Sequence, residues 1–260
     1  MNEKVSRIDT SDIDKVTQLL KGCQSILFVT GAGISADSGL PTYRGIGGLY
    51  NVETTEDGMS IEVALSGSTM ENTPELTWKY LKQIELACRG AKFNRAHEVI
   101  AAMEERFKRV WTLTQNVDGF HQAAGCNNVI DIHGNLHHLK CMSCNYRETV
   151  PDFSRLSIVP QCPNCNAVVR PDVVLFGEIL PAEKVRLLQH ELDQGFDLVF
   201  SIGTTSLFPY INEPIYRAKN AGSPTVEINP GVTEVSNIVD VKIPLKAAMA
   251  LDNIWRAYQE

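Results

Sequence analysis

The sequence has few of the features that mark membrane or nucleic-acid-binding proteins. Its 260 residues contain no apolar run of about 18, the length that a membrane-spanning helix needs, and residues 1–15 are polar without the apolar segment of an export signal. Positive charge is scarce: 24 Lys and Arg stand against 31 Asp and Glu, a formal net charge of −7. This balance argues against broad contact with phosphate-rich surfaces. We therefore expect a cytoplasmic protein that binds neither nucleic acid nor membrane.

The composition also lacks the biases of non-globular proteins. The 18 Gly and 12 Pro are scattered, and hydrophobic residues make up 43% against 21% charged residues. These values exclude disorder, collagen and coiled coil as the main structure. A chain of this length suits one or two domains, and we expect a monomer.

The chain has seven cysteines, and an odd number disfavours a disulfide framework. Four of the seven form two CxxC pairs with the spacing C-x2-C-x17-C-x2-C: Cys141, Cys144, Cys162 and Cys165. This spacing is typical of a four-thiolate zinc site, which leaves no open position for water. We therefore expect one structural Zn²⁺, with the chemistry elsewhere. A redox pair and a zinc-ribbon binding module are the alternatives; redox CxxC normally stands alone, and the acidic net charge disfavours a ribbon.

Short apolar, β-branched runs alternate with helical patterns along the chain. The runs are apolar on both faces, which predicts an α/β fold with a Rossmann-like, doubly wound parallel sheet. The predicted strands are 25–30, 110–114, 128–131, 172–176, 197–203 and 225–229. The predicted helical segments are 13–21, the stretch 74–108, 182–192 and 213–219.

Two stretches interrupt this alternation and are interpreted as insertions. Residues 45 to about 73 are rich in Gly, Ser, Thr and acids, which indicates a flexible loop with a small helical part; residues 134–170 hold the cysteine pairs. We predict a single domain, 1–260, with a cleft between its parts. The parts are a Rossmann-like core (about 20–44, 108–133 and 171–250), a loop and helical insertion (about 45–107) and a zinc module (about 134–170).

A glycine-rich segment, GAGISADSGLP (31–41), follows the first predicted strand directly. Gly31 and Gly33 permit a tight turn and close backbone approach, and a helix start after them favours a dinucleotide pyrophosphate. A dehydrogenase would continue to a second strand that ends in an acidic residue about 20 residues later. The next predicted strand begins only at Val110, so a hydride-transferring oxidoreductase fits poorly.

Further motifs follow in a characteristic order: GAGISADSGLPTYRG (31–45), TQNVDGFHQAAG (114–125), HG (133–134), the CxxC pairs, RPDVVLFGE (170–178), GTTS (203–206) and IN (228–229). This order resembles that of the sirtuins, the NAD-dependent protein-lysine deacylases. The resemblance implies that NAD is consumed as a cosubstrate while acyl groups are removed from lysines of protein or peptide substrates. The implied products are nicotinamide, O-acyl-ADP-ribose and free lysine.

The resemblance also assigns roles to single residues. His133 matches the general base, with Asn116 and Asp118 as its catalytic companions, and Ile34 and Asp118 match the nicotinamide pocket. The implied substrate contacts are Val174, Phe176, Gly177, Glu178 and Tyr80, the turn 176–178 pairing the substrate as an added strand. The implied NAD contacts are Gly31, Ala32, Gly33, Ile34, Asp37, Thr42, Tyr43, Arg44, Gln115, Asn116, Asp118, Gly203, Thr204, Thr205, Asn229 and Ala248.

The chemistry of these side chains agrees with the assignment. A histidine, with an ordinary pKa of about 6.5, can accept a proton at neutral pH. His133 also comes just after a predicted strand, where α/β sheets place their ligands. A turn role for Asp118 and a helix-cap role for Asn116 are the alternatives.

Two stretches depart from the sirtuin pattern. In GTTSLFPY (203–210), Thr205 replaces the usual serine, and Leu207–Pro209 stand where a peptide-binding loop normally runs. Sirtuins that remove succinyl groups use a Tyr-x-x-Arg pair, for which the comparable positions here are Tyr80 and Gln83. Glutamine cannot neutralise a carboxylate. We therefore expect a preference for acetyl or other uncharged acyl groups, unless Lys82 or Arg89 replaces the arginine.

Two other functions remain compatible with the same motifs. One is ADP-ribosyl transfer to protein, and the other is a catalytically silent module that binds NAD. A pure binding module would not need His133, Asn116 and Asp118 together.

Overall fold

The computed structural model describes residues 10–40 and 54–260. The strands in these ranges are β1 Ser25–Thr30, β2 Arg109–Thr114, β3 Val129–Asp131, β4 Gly134–Cys141, β5 Arg147–Thr149, β6 Val169–Val173, β7 Leu198–Ile202, β8 Thr225–Ile228 and β9 Val241–Ile243. The α-helices in these ranges are α1 Thr10–Gly22, α2 Ala32–Ser35, α3 Ile61–Ala64, α4 Gly67–Asn72, α5 Pro74–Cys88, α6 Arg95–Arg106, α7 Phe120–Ala123, α8 Ala182–Asp193, α9 Pro209–Ala221 and α10 Ala247–Gln259. Among the described helices, none has the length and apolarity needed to cross a membrane.

Six strands form one parallel sheet in the order β3-β2-β1-β7-β8-β9. Successive side chains of a strand point to opposite faces, so each strand supplies both layers of the core. On one face Phe28 and Phe200 stack with their ring centroids 5.0 Å apart beneath α1, α6 and α10. On the other face Leu27 and Val199 pack against α8 and α9. The predicted Rossmann-like, doubly wound sheet is confirmed.

The strand order places a crevice between β1 and β7. From β1 the chain continues to β2 and β3 on one side of the sheet, and from β7 it continues to β8 and β9 on the other. The loops after β1 and β7 therefore leave the sheet in opposite directions. In such sheets a ligand binds in the crevice that opens at this point, beyond the carboxyl ends of the strands.

A second, antiparallel sheet has the order β5-β4-β6 and carries the cysteine pairs. It shares a separate hydrophobic cluster with α3, α4 and α5, at whose centre Trp78 is fully buried and donates from Nε1 to the Val169 carbonyl at 3.1 Å. The prediction of 172–176 as a strand of the parallel sheet was wrong. Of this run only Asp172 and Val173 lie in a strand, β6, which pairs with β4 in the small sheet. An apolar run does not specify which sheet will bury it.

The helical stretch predicted over 74–108 is two helices rather than one. Gly90, with a φ of 82°, leaves the helical conformation after α5. Asn94 then starts α6: its side chain accepts the Ala96 N–H, and its own N–H donates to Nδ1 of His97. At the carboxyl-terminal end, β9 and α10 had no predicted counterpart. The β9 strand is only three residues long, too short for a periodicity to be read.

Gly134 connects the two sheets immediately after His133. Its φ is 87°, and it pairs with Val173 of β6 in the small sheet. A Cβ at this position would lie 1.9 Å from the carbonyl oxygen of Asp172. Only glycine fits both the left-handed conformation and the close approach of β6.

We expect Gly134→Ala to lower the free energy of unfolding by more than about 4 kcal/mol, or to prevent folding, because the added methyl group must displace the backbone of β6. Gly222→Ala is the matched control: Gly222 also has a positive φ, of 75°, but nothing lies within 4 Å of its added Cβ. That change should cost only the backbone strain of about 1–2 kcal/mol. Urea unfolding measures both, and equal losses would show that the contact with Asp172 carries no cost.

Candidate active site

The predicted site residues gather at the carboxyl end of the parallel sheet. Each follows a strand directly: Gly31 follows β1, Gln115 follows β2, His133 lies just beyond β3, Gly203 follows β7 and Asn229 follows β8. Because these strands are neighbours and run parallel, their carboxyl ends meet at one edge. The crevice of the fold and the predicted cofactor residues therefore coincide.

The glycine loop packs directly on the backbone that follows β7. Gly33 donates its N–H to the Gly203 carbonyl at 2.8 Å, and a Cβ on Gly33 would lie 2.6 Å from the Gly203 Cα. A Cβ on Gly31 would lie 2.8 Å from the Thr204 Cβ. The missing side chains let the loops after β1 and β7 touch, so backbone lines this part of the crevice. This glycine cradle suits a pyrophosphate group that must approach the chain closely.

Thr204 joins the ends of three strands. Its hydroxyl accepts a hydrogen bond from Nε2 of Gln115 at 2.8 Å, and its carbonyl accepts one from Nδ2 of Asn229 at 3.0 Å. Thr204 is buried, whereas Thr205 beside it is exposed. The predicted cofactor positions after β2, β7 and β8 therefore form one hydrogen-bonded group.

Asn116, Ser35 and Asp118 form a second group beside the glycine loop. Nδ2 of Asn116 donates to the Ser35 hydroxyl and to the Gly31 carbonyl, both at 3.2 Å, and Ser35 donates to Oδ2 of Asp118 at 2.7 Å. Oδ1 of Asp118 accepts the Phe120 N–H at 3.0 Å. Burial raises the pKa of Asp118, while the N–H of Phe120 and the hydroxyl of Ser35 oppose that rise.

This second group opens onto a cavity of about 140 Å³. Its walls come from the glycine loop, from α5 and its end, and from the segment after β2. Its lining includes Ala32, Ser35, Ile84, Glu85, Cys88, Arg89, Asn116, Asp118, Phe120 and His137. The predictions did not include Ser35; its place in the motif GAGIS, next to two predicted cofactor residues, is the signal that pointed to it.

His133 is held at both ring nitrogens. Nδ1 lies 3.0 Å from the carbonyl oxygen of Gln115, and Nε2 lies 2.7 Å from the hydroxyl of Tyr210. A carbonyl only accepts, so Nδ1 carries the proton and Nε2 of the neutral ring keeps its lone pair. Burial lowers the pKa of His133, the cation of Lys184 adds to this, and the Gln115 carbonyl opposes it. His133 is therefore a neutral base at pH 7, with Nε2 as its accepting atom.

Three predicted cofactor residues make other contacts. The side chain of Ile34 lies in the main hydrophobic core with no exposure, so the short helix α2 turns Ala32 and Ser35, rather than Ile34, toward the cavity. Oδ2 of Asp37 accepts the N–H of Ala248 at 3.0 Å. These two predicted residues therefore bind each other and tie the glycine segment to the start of α10.

Tyr80, the predicted acyl-pocket residue, does not line this cavity. It is buried and its hydroxyl donates to Asp57, while Gln83 donates to Glu56 at 3.3 Å. The residues of α5 that line the cavity are Ile84, Glu85 and Cys88. The helix thus turns a different set of side chains inward than the comparison of motifs implied.

The predicted substrate turn is already hydrogen-bonded within the protein. The N–H of Val174 donates to the His133 carbonyl at 2.9 Å, which places this segment beside the base. Phe176 bonds through its own N–H and C=O to Leu65 and Gly67. An added peptide strand must therefore pair at other positions of the turn. Glu178 is also engaged: its carboxylate binds Arg170, with Nη2–Oε2 at 2.9 Å.

Three predicted NAD contacts, Thr42, Tyr43 and Arg44, and part of the predicted flexible loop, lie outside the described residues.

The four predicted zinc ligands come together in one cluster. Their sulfur atoms all lie within 4.8 Å of one another, with Cys141–Cys165 and Cys144–Cys162 each at 3.5 Å. Four sulfurs about 2.3 Å from a tetrahedral ion would be about 3.8 Å apart. The backbone N–H groups of Ser143 and Asn164 donate to Cys141 and Cys162, which offsets thiolate charge. The cluster fits a closed, structural Zn²⁺ site.

Comparison with known proteins agrees with this geometry. Residues 31–208 match the model of the Sir2 family. The chain belongs to the Sir2 family. A relative from Pseudomonas aeruginosa, named NAD-dependent protein deacylase 2, is 48% identical over 240 residues, which cover 91% of this chain and 93% of that protein.

Solved Sir2 structures have the same fold as this chain. A Sir2 homolog–NAD complex superposes with a TM-score of 0.84 at 31% identity, covering 95% of this chain and 93% of that one. A Sir2–p53 peptide–NAD⁺ complex superposes with a TM-score of 0.80 at 28% identity, covering 94% and 97%. The fold therefore agrees with the family that the sequence match shows.

We expect Cys141→Ser to lose the bound zinc and to lower Tm by at least about 10 °C, because metal binding contributes directly to the stability of the small sheet. Below the new Tm the variant should keep its activity, since a closed site takes no part in the reaction. Cys126→Ala, at a buried thiol outside the cluster, is the control and should keep its zinc. A zinc-free Cys141→Ser protein that melts like the parent would contradict the structural role.

Proposed function

We propose that this protein removes acyl groups, acetyl in particular, from the lysine side chains of proteins and consumes NAD in doing so. One observation carries the proposal. A neutral histidine base, a glycine cradle and a buried amide–hydroxyl–carboxylate group lie around one crevice at the switch point of the sheet. The names of the relatives support the same reaction.

Different residues of the chain bind different parts of the cosubstrate. The glycines at 31 and 33 and the residues after β7 admit the pyrophosphate by close backbone approach. Asn116 and Asp118 can each form further hydrogen bonds, here to a carboxamide. In Asp118, each carboxylate oxygen accepts one hydrogen bond and has a second lone pair available. They therefore suit the nicotinamide end.

His133 is the proton acceptor of the proposed reaction. When bound, NAD supplies a ribosyl carbon that takes up the acyl oxygen as nicotinamide leaves. Nε2 of His133, kept unprotonated by the Gln115 contact at Nδ1, is placed to accept a proton from a ribose hydroxyl. The crevice is largely buried, so the same charges and dipoles act more strongly there than in water.

The α5 wall of the cavity, rather than its Asn116–Asp118 wall, would receive the acyl group and favours an uncharged one. Glu85 is 1% exposed and pairs with Arg89, with Nε–Oε1 at 2.9 Å. The ammonium of Lys82 binds the carbonyl oxygens of Leu156 and Ser157 instead of facing the cavity. The free carboxylate of a succinyl group would therefore meet the buried acid Glu85 and a cation that is already paired. This arrangement supports acetyl over succinyl.

We expect the parent protein to form O-acyl-ADP-ribose from an acyl-lysine peptide and NAD, detected by mass spectrometry, and His133→Ala to lose at least about 100-fold in rate because the base is gone. His190→Ala, at an exposed histidine on α8, should match the parent. Absence of this product with the parent would contradict deacylation. Transfer of ADP-ribose to the peptide instead would identify a transferase.

The acyl preference is tested on one peptide that carries either acetyl or succinyl lysine. We expect acetyl to be removed at least about tenfold faster, and Glu85→Gln to narrow that ratio by about tenfold, because Arg89 is then free to pair with the succinyl carboxylate. Glu98→Gln, at the exposed Arg95–Glu98 pair on α6, is the control and should leave the ratio unchanged. Faster succinyl removal by the parent would contradict the argument.

A further inference from the structure

The hydroxyl of Tyr210 is hydrogen-bonded to the accepting nitrogen of His133, 2.7 Å from Nε2. Tyr210 lies in the first turn of α9, immediately after Leu207–Pro209, where the sequence departs from the sirtuin pattern. The motifs assigned no role to this residue. Its contact is made at the one atom of His133 that the proposed reaction uses.

The direction of this hydrogen bond follows from the other side of the ring. Nδ1 donates to the Gln115 carbonyl, so Nε2 of the neutral ring can only accept, and Tyr210 is the donor. Burial raises the pKa of Tyr210 to about 12, so its hydroxyl keeps its proton across the neutral range. Tyr210 therefore fixes the orientation of the neutral His133 ring through Nε2.

Aromatic packing holds the hydroxyl in place. The rings of Phe208 and Tyr210 stack at 5.6 Å with an interplanar angle of 15°, and both present their edges to the imidazole, at 6.5 and 6.0 Å. Phe208 is itself half-exposed, so this stack lies at the mouth of the crevice. Removing the hydroxyl alone should leave the stack intact.

Helix α8 and the end of β2 also face His133. Helix α8 contributes Lys184, whose ammonium lies 2.7 Å from Oδ1 of Asp131 at the end of β3. The end of β2 contributes the uncharged carbonyl of Gln115. The cation lowers the pKa of His133, and a change confined to the Tyr210 hydroxyl leaves Lys184 and Asp131 as they are.

We propose that Tyr210 is a positioning residue for His133, which holds the imidazole ring with Nε2 hydrogen-bonded to the tyrosine hydroxyl until a ribose hydroxyl of the cosubstrate replaces it. The proposal rests on the proposed function for the role of His133 as base. The hydrogen bond and its exchange belong to the protein with or without turnover. Binding of the cosubstrate must then break one hydrogen bond at Nε2 as it forms another.

The Tyr210 hydroxyl donates to Nε2 of the neutral ring and can rotate to accept the Nε2–H of the protonated ring. The bond to the charged ring is the stronger of the two, so loss of the hydroxyl should lower the pKa of His133 in the free enzyme by about half a unit. The kcat/KM profile reports ionisations of the free enzyme, so its acidic limb should move to lower pH by the same amount. In a complex that has already displaced the hydroxyl, its removal should have no effect on that pKa.

The test is an NMR titration of the His133 ring, assigned with His133→Ala, in the parent, Tyr210→Phe and Tyr216→Phe proteins. Tyr216 is an exposed tyrosine on the same helix and serves as the control. We expect Tyr210→Phe to lower the pKa by about half a unit in the free protein and to leave it unchanged with ADP-ribose bound. An unshifted pKa in the free protein overturns the proposal, and an equal shift with ADP-ribose bound overturns the exchange.

A second measurement needs no variant. The nitrogen shifts of His133 in the parent should show the proton on Nδ1, and a proton on Nε2 of the neutral ring overturns the proposal. Both NMR readouts are independent of turnover. If both NMR results are as expected but no O-acyl-ADP-ribose forms, the proposed function is wrong while the role of Tyr210 as a positioning residue is supported.

Discussion

The backbone contact between Gly33 and Gly203 is the constraint on which the rest of the site depends. It brings the loops after β1 and β7 together at the point where the sheet changes direction, at a distance that a Cβ on either residue would prevent. With these loops in contact, Thr204 can reach both Gln115 and Asn229. The glycine cradle and the hydrogen bonds that join three strand ends are therefore consequences of one close approach.

The small sheet is coupled to the base through a short chain of contacts. Arg170, 4% exposed on β6, binds Glu178 and the Val173 carbonyl, and the Glu178 carboxylate accepts the Leu175 N–H at 2.8 Å. This fixes the turn whose Val174 donates to the His133 carbonyl. The cysteine cluster beside β4 and β6 is thus linked through β6 to the turn that contacts His133. Removing one partner of the Arg170–Glu178 pair would leave an uncompensated, largely buried charge, so this pair also stabilises the turn.

Burial has opposite effects on the two titratable groups of the site. It lowers the pKa of His133 and raises the pKa of Asp118, so it disfavours charge on both. Hydrogen bonds act beside burial at both groups. Ser35 and the Phe120 N–H stabilise the carboxylate of Asp118, and His133 is held by the Gln115 carbonyl at Nδ1 and by the Tyr210 hydroxyl at Nε2. The neighbours of Asp118 and His133 therefore influence the charge and orientation of both side chains.

The sequence by itself determined five of the six strands of the parallel sheet, the cysteine cluster and most of the crevice. Buried parallel strands are continuous apolar runs, so β1 was predicted at its observed ends, and the glycines, Asn116 and His133 follow strands whose carboxyl ends must meet. Two CxxC pairs need only local turns to present four thiolates. Tertiary structure alone decided the rest. It placed β6 in the small sheet, buried Ile34, and joined Ser35 to Asp118 and Tyr210 to His133, pairs separated by 83 and 77 residues. A periodicity or a local spacing reports which face of an element is buried, but not which distant side chain completes a hydrogen bond there, because that depends on how the elements pack.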